Sequence, residues 1–497
     1  MKKIKSILIA NRGEIAIRIM RTAKEMGIET WVILTATEPN ALYINEADHV
    51  IDFSTYVNEV PPFLDVERIV AAAKENHIDA IHPGYGFLAE SAYFAQSCEK
   101  EGITFIGPSS EAIYKMGNKT IARKIAAKHK ISLLKGSTRN ITTAEIAEQA
   151  AEEIGYPVII KAASGGGGKG MRIVRKPEEI GKMFRLATSE ADKAFNDSTV
   201  FLEKYAENPR HIEFQILGDK HGNVIHLGER ECSIQRKHQK LLEEAPSSIL
   251  DDALRLKMGQ QAIEIAKAVN YYSAGTVEFL LDEHKNFYFM EMNTRIQVEH
   301  PVTEMITGVD LIEQQIRIAQ GEELTLKQED IKLTGWAIEF RINAEDVQAG
   351  FAPNTGIIKK LVMPGGKNIR IDTGFVEGAV IPPDYDSMIA KLIVYGDDRA
   401  KAISTGLKAL QKVEIQGLKT TIPFFKAVLH SPAFVQGDFN TSFIETELGS
   451  LFHQEKDEEE LAAFLALMDY LKEVSGDDEY SADKSSPWLF NKRLKSI

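Results

Sequence analysis

The sequence predicts a multi-domain protein of mixed α/β and α+β class, on three observations. Residues 1–114 alternate short apolar runs with amphipathic stretches, and such strand–helix–strand repetition builds a parallel sheet covered on both faces. From about residue 207 the chain becomes rich in strands whose polar and apolar residues alternate. The length of 497 residues allows about three or four domains at about 100–200 residues each.

Composition narrows the function classes. The chain is 44% hydrophobic and 26% charged, ordinary for a globular protein, which excludes disorder, collagen and low complexity for its bulk. Seventy-two Asp and Glu against 59 Lys and Arg give a net charge of −13, a surface that repels a nucleic-acid backbone but leaves room for a small basic pocket. Cys98 and Cys232 form no CxxC pair, which argues against a disulfide framework or a Cys-rich zinc site. Met1-Lys2-Lys3-Ile4-Lys5 resembles the start of a signal peptide, but the apolar run from Ile7 to Ala10 stops at Asn11-Arg12-Gly13-Glu14. No run approaches 18 apolar residues. The expectation is a cytoplasmic enzyme with neither a nucleic acid nor a membrane as partner.

The elements follow in order. Ser6 to Ala10 reads as a buried strand, and Glu14 to Met26 as a helix with Ala16, Ile19, Met20 and Ala23 on one face. Gly27 stops that helix, and Thr30 to Leu34 is the next strand. The pattern repeats through Asp79-Ala80-Ile81 and Thr104-Phe105-Ile106. The first turn holds a single glycine, Gly13, so the dinucleotide fingerprint is absent and a nicotinamide enzyme is not supported. Residues 115–132 read as a helical connector, and 133–206 as a small α+β unit. That unit has strands at Val158 to Lys161, Met171 to Val174 and Val200 to Glu203, and a helix from Glu178 to Ala194. In the third unit, 207–450, His211, Glu213 and Gln215 share one strand face, and Thr276 to Leu280 with Phe287 to Asn293 forms an antiparallel hairpin. Trp336 to Asn343 reads as a half-buried strand. Residues 451–497 read as an acidic helical tail, partly mobile.

Four segments carry chemistry. Ser164-Gly165-Gly166-Gly167-Gly168-Lys169-Gly170 lies between two strands, so it is no Walker P-loop. Its backbone N–H groups can approach a phosphate chain closely; the alternative is a plain hairpin tip. Glu278, Glu291 and Asn293 interrupt apolar strand runs, and buried carboxylates call for a partner such as Mg²⁺; the alternative is a solvated strand face. Arg295 and Glu299 follow on Asn293-Thr294-Arg295-Ile296-Gln297-Val298-Glu299-His300-Pro301, where Arg suits a small planar anion and Glu a general base; a surface ion pair is the alternative. Cys232 to Lys240 gathers Arg236, Lys237, His238 and Lys240 into an anion site or a solvated basic loop.

With Ile9-Ala10-Asn11-Arg12-Gly13-Glu14-Ile15-Ala16, His82-Pro83-Gly84-Tyr85-Gly86-Phe87-Leu88 and Arg341-Ile342-Asn343-Ala344-Glu345-Asp346, these segments resemble the biotin carboxylase subunit of biotin-dependent carboxylases, in the ATP-grasp superfamily. The resemblance runs from about residue 4 to about 447. It implies an N-terminal parallel α/β domain, a small glycine-loop lid and a larger mixed α+β domain. It also implies roles. Lys119 and Lys161 would contact ATP phosphates with Gly167 and Gly168 closing over them, and Glu203, Lys204, Tyr205 and Ala206 would hold adenine. His211, Gln235 and His238 would help bind the nucleotide, and Glu278, Glu291 and Asn293 would hold Mg²⁺ or Mn²⁺. Lys240, Arg295, Gln297 and the Val298 backbone would bind bicarbonate, Glu299 would deprotonate it, and Arg341 would stabilise the enolate-like form of biotin.

No internal Met-Lys biotin-attachment motif occurs, so biotin is expected on a separate biotin carboxyl carrier protein. The resemblance also implies a homodimeric carboxylase and a separate carboxyltransferase subunit. The expected function is the first half-reaction of an acyl-CoA (acetyl-CoA or propionyl-CoA) carboxylase. The alternatives are the biotin carboxylase component of a pyruvate carboxylase, a carboxylate–amine ligase of the same superfamily, and an inactive scaffold.

Overall fold

The computed structural model describes residues 3–55, 60–137, 141–162, 171–195, 197–447 and 449. Ile7, Leu8 and Ile9 offer no polar face, and β1 (Ser6–Ile9) is accordingly buried along its whole length. It lies at the centre of a parallel sheet ordered β3-β2-β1-β4-β5, with β2 at Glu29–Leu34, β3 at His49–Asp52, β4 at Ala80–His82 and β5 at Thr104–Phe105. The period of two sends Ile7 and Ile9 into one core with Ile15, Ile19 and Val32, and Leu8 and Ala10 into another with Ile33, Ile81 and Phe94. Both faces are covered, as the repeated pattern predicts. Helix α1 (Gly13–Glu25) packs its apolar stripe on the first of these cores, and the chain turns at Gly27 with φ +69°.

The connector region falls on two helices, Ser110–Gly117 and Lys119–Lys128, the second capped by the Asn118 side chain. The small unit that follows has three antiparallel strands ordered β7-β6-β8: β6 (Val158–Ala162), β7 (Arg172–Val174) and β8 (Val200–Lys204). Two helices cover it. Ile180–Phe195 lies where the sequence places a helix, although Pro177–Glu179 forms a 3₁₀ turn first; Ala144–Ile154 is a helix the sequence pattern does not announce. The glycine run lies outside the described residues.

The largest element is an eight-stranded antiparallel sheet. It is built from β9 (Arg210–Gly218), β10 (Val224–Arg236), β11 (Gln239–Ala245), β12 (Ser273–Leu281), β13 (Phe287–Asn293), β14 (Trp336–Asn343), β15 (Ile369–Thr373) and β16 (Met388–Gly396). The order across the sheet is β13-β12-β9-β10-β11-β14-β16-β15. The predicted β12–β13 hairpin is present. Strand β14 departs from its half-buried reading. Glu339 is 0% exposed and Asn343 8%, because the polar face of the strand is covered rather than solvated. The same holds for β9, where His211, Glu213 and Gln215 are buried. Gly374, just after β15, lets that end of the sheet approach α1; a Cβ there would sit 2.6 Å from the Glu14 amide. Among the described residues, no helix is long and apolar enough to cross a membrane.

Candidate active site

Register assembles the site. Glu278 of β12 stands opposite Glu213 of β9 on one side and Glu291 of β13 on the other. Like charges directly opposite one another are destabilising unless compensated. The compensation comes from neighbouring strands. Arg230 of β10, fully buried, donates to Glu213 Oε1 (2.5 Å), Gln215 Oε1 (2.7 Å), Thr303 Oγ1 and Thr276 Oγ1 (both 3.0 Å). Lys240 of β11 reaches Glu213, Glu278 Oε1 (3.2 Å) and Glu299 Oε1 (2.6 Å). His211 Nε2 lies 2.9 Å from Glu278 Oε2, and Asn293 Nδ2 and Gln297 Nε2 donate to Glu278 Oε1 at 2.8 and 3.1 Å.

The segment after β13 closes this cluster. Arg295 donates to Gln297 Oε1 (2.8 Å) and Asn293 Oδ1 (3.2 Å) and pairs with Glu90 of the N-terminal region (3.1 Å). Glu299 is completely buried between two cations, Lys240 and Arg341, whose Nη2 donates to Glu299 Oε2 at 2.9 Å. Arg341 also pairs with Glu243 (2.5 Å). Burial works against the Glu299 carboxylate, yet Lys240, Arg341 and Arg230 hold it well below the usual carboxylate range. Against burial too, Glu278 is held low by Lys240 and His211. Burial would lower Lys240, but Glu213, Glu278 and Glu299 push it well above its usual range. Glu243 goes the other way from Glu278 and Glu299, pushed up to about 7 by burial despite Arg341, and burial raises Glu213 and Glu339 as well.

The nucleotide candidates are spread over the Lys119–Lys128 helix, β6, β8 and the β10–β11 hairpin. Lys119 Nζ lies 3.2 Å from Glu291 Oε2, and Lys161 Nζ donates to Glu203 Oε2 at 2.6 Å; Arg123 takes the other oxygen of Glu203. Lys119 is also within electrostatic reach of Glu203 and Glu278, so it joins the small unit to the large sheet. Lys204 turns its side chain to the carbonyls of Gly155 (3.1 Å) and Tyr156 (2.7 Å), and the Tyr205 amide donates to Pro157 O (3.1 Å). Half-buried Ala206 follows them. Gln235 faces Lys240 across the β10–β11 hairpin, whose turn is Lys237-His238. His238 lies within electrostatic reach of Lys161, His211 and Lys119. Gly167 and Gly168 lie outside the described residues.

The sequence-predicted residues of the carboxylate, arginine and Lys240 groups therefore converge on one face. Arg230, Glu213 as a partner of Arg230 and Lys240, Arg123 and Glu243 are additional members. Arg230 and Glu243 carry no such signal as exposes Glu278, because Arg230 lies between Glu229 and Glu231 and Glu243 precedes Glu244 rather than breaking an apolar run. Glu278, Glu291 and Asn293 form a hard-oxygen set suited to a divalent cation. Donor atoms of His211, Glu213 and Glu278 also lie within 4.8 Å of one another. In the present arrangement Asn293 gives its amide nitrogen to Glu278 and its oxygen to Arg295.

Comparison with known families finds three matches along the chain. Residues 3–113 match the biotin carboxylase N-terminal domain, 118–327 the ATP-binding domain of the carbamoyl-phosphate synthase L chain, and 339–446 the biotin carboxylase C-terminal domain. The chain is 52% identical over 444 residues to biotin carboxylase 1 of Bacillus subtilis (strain 168), covering 89% of this chain and 98% of that one. It is 49% identical over 439 residues to a pyruvate carboxylase subunit of Methanothermobacter thermautotrophicus, covering 88% and 89%. Among solved structures, the biotin carboxylase domain dimer of the Hydrogenobacter thermophilus 2-oxoglutarate carboxylase, in complex with MgADP, ADP and bicarbonate, superposes with a TM-score of 0.88. That structure is 49% identical and covers 91% of this chain and 99% of its own. Fold and site together define an ATP-dependent ligase of ATP-grasp architecture. The chain belongs to the biotin carboxylase family.

Proposed function

We propose that this chain carboxylates biotin carried on a separate protein, using ATP and bicarbonate, as one component of a larger carboxylase. The observation that carries this reading is Glu299, buried between Lys240 and Arg341 beside the Arg295–Val298 segment. In the assigned roles, Lys119 and Lys161 bind ATP phosphates under Gly167 and Gly168, with Glu203 to Ala206, His211, Gln235 and His238 around the rest of the nucleotide. Glu278, Glu291 and Asn293 are the residues that would hold Mg²⁺ or Mn²⁺, which neutralises charge on the phosphate chain. Lys240, Arg295, Gln297 and the Val298 amide bind bicarbonate.

Glu299 takes the bicarbonate proton. Two cations make it a weak base in the arrangement seen here, and an anion that draws Lys240 and Arg295 toward itself raises its proton affinity at the moment of need. A bicarbonate oxygen then attacks the γ-phosphoryl, ADP leaves, and carboxyphosphate results. Carboxyphosphate then gives its carboxyl to the ureido nitrogen of biotin: the bond from the carboxyl carbon to the phosphate oxygen breaks, the released phosphate takes the N–H proton, and Arg341 offers its guanidinium to the negative charge that develops on the ureido oxygen.

The partners in this reading are a biotin carboxyl carrier protein, a second copy of the chain and a carboxyltransferase subunit. The second copy is supported by the dimer of the Hydrogenobacter relative. The final acceptor expected from the sequence is an acyl-CoA. A 2-oxo acid is the second reading, favoured by relatives named for pyruvate and 2-oxoglutarate at 49% identity each. Purification with the native carboxyltransferase decides between them. The core reading is tested by ATP cleavage. The purified chain should cleave ATP in a bicarbonate-dependent way stimulated by free biotin, and Glu291→Gln should abolish the Mg²⁺-dependent reaction with the fold intact. Bicarbonate-independent cleavage, or normal turnover of the variant, refutes the assignment.

A further inference from the structure

Lys391, at the centre of β16, is 0% exposed. Its register partner on β14 is Arg341, and on β15 Asp372. Two cations directly opposite one another inside a sheet are costly, and a buried ammonium needs partners for three protons. Its partners come from three parts of the chain. Glu14 Oε1, in the first turn of α1, lies at 3.1 Å; Asp372 Oδ2 lies at 3.8 Å; and the Lys391 ammonium donates to the main-chain carbonyl of Val298 at 2.9 Å. Glu14 in turn accepts a hydrogen bond from the Tyr85 hydroxyl.

The carbonyl contact differs in kind from the ion pairs. It supplies an acceptor that the carboxylates leave short, since Asp372 at 3.8 Å is beyond hydrogen-bond reach. What the contact fixes is the plane of the peptide between Val298 and Glu299. The preceding plane is fixed from the other side, because Gln297 O accepts from the His300 amide (3.3 Å) and from His300 Nδ1 (2.8 Å). Between them, Lys391 and His300 hold both peptide planes that flank Val298, and so set where its amide N–H points and where the Glu299 side chain starts.

We infer that Lys391 is a positioning residue for bicarbonate: it holds the Val298–Glu299 peptide, which follows directly on the anion-binding Val298 amide and carries Glu299, and it relays to that peptide the seating of α1 through Glu14. The inference rests on the assignment of the 293–299 segment to bicarbonate. It places Lys391 outside the reacting atoms and makes its effect selective for one substrate.

The test is steady-state ATP cleavage with bicarbonate and ATP varied separately, on Lys391→Met, Lys391→Gln and Glu14→Gln. Methionine keeps the volume and removes the donor, and glutamine keeps one donor for the Val298 carbonyl. The expected result for Lys391→Met is a bicarbonate KM raised about ten-fold or more, the size of one lost hydrogen bond from a charged group, with the ATP KM within about two-fold. Lys391→Gln should recover part of that loss. Glu14→Gln, which leaves the lysine in place but weakens its anchor, should raise the bicarbonate KM about three-fold, and it carries the test if Lys391→Met does not fold. An unchanged bicarbonate KM in the variants, or an equal rise in both KM values, overturns the inference while the unaltered chain remains bicarbonate-dependent. Absence of bicarbonate dependence in the unaltered chain overturns the functional reading instead.

Discussion

A carboxylate gripped by two cations is secure as an anion and poor as a base, and Glu299 is such a group in the arrangement seen here. The proposed chemistry therefore separates its neighbours by the step at which each acts. Glu299→Gln removes the proton acceptor and should depress bicarbonate-dependent ATP cleavage and biotin carboxylation together, by about 10²–10⁴. Arg341→Ala should depress carboxylation by about 10²–10³ and ATP cleavage less, leaving ADP formed without carboxybiotin when biotin is saturating. Equal losses in both rates for Arg341→Ala would remove that residue from the transfer step. Glu278, Glu291 and Asn293 are legible in the sequence because each breaks an apolar strand run at a spacing that fixes its face. Arg230, Glu243 and Lys391 are not, because the groups that need them lie on strands far away in sequence, and only the register brings Lys391 opposite Arg341 or Glu243 opposite Glu339.

At the scale of one element, the β10–β11 hairpin turns on two residues, Lys237 and His238, with φ of +47° and +66°. Two-residue turns of this hand favour Asn-Gly, because a side chain with a Cβ pays about 1–2 kcal/mol in the left-handed region. A turn built from the wrong residues and kept beside a candidate nucleotide site points to strain held for function. Replacing Lys237-His238 by Asn-Gly should stabilise the fold by about 1–2 kcal/mol in denaturant unfolding while raising the ATP KM. A stabilised variant with unchanged ATP KM would detach this turn from the nucleotide. The hairpin of β12 and β13 and the run of β1 are readable because bulky apolar residues mark them. The helix Ala144–Ile154 escapes because its buried stripe is made of Ala147, Ala151 and Ile154, whose mostly small side chains leave a weak periodic signal. Strand β14 reads as half-buried because alternation reports which residues share a face and not what covers that face.

For the molecule as a whole, acid stability is shaped by histidines kept neutral away from water. Burial holds His226 down to about 4, Arg255 adding to it, and holds the fully buried His82 down to about 3. A depressed value means the unfolded chain takes the proton first. The stability is complete above about pH 6.5 and drains away as pH falls toward the folded value. His226 stands apart from the site residues, so His226→Gln isolates the effect. The stability advantage of the unaltered chain over this variant should shrink by about 2 kcal/mol between about pH 7.5 and about pH 5 in denaturant unfolding. A constant difference would show that His226 does not titrate in this way. The eight-stranded sheet has a consequence for where the chain can be cut. The matched ATP-binding segment ends at residue 327 and the C-terminal one begins at 339, yet β11 and β14 are hydrogen-bonded neighbours from Leu242–Phe340 to Ala245–Ala337. A gene broken between those segments would yield two proteins, each with a bare strand edge of unpaired amides and carbonyls through the middle of its core. The two matched segments are therefore one unit of folding, and a cut between residues 327 and 339 is expected to leave neither half stable by itself.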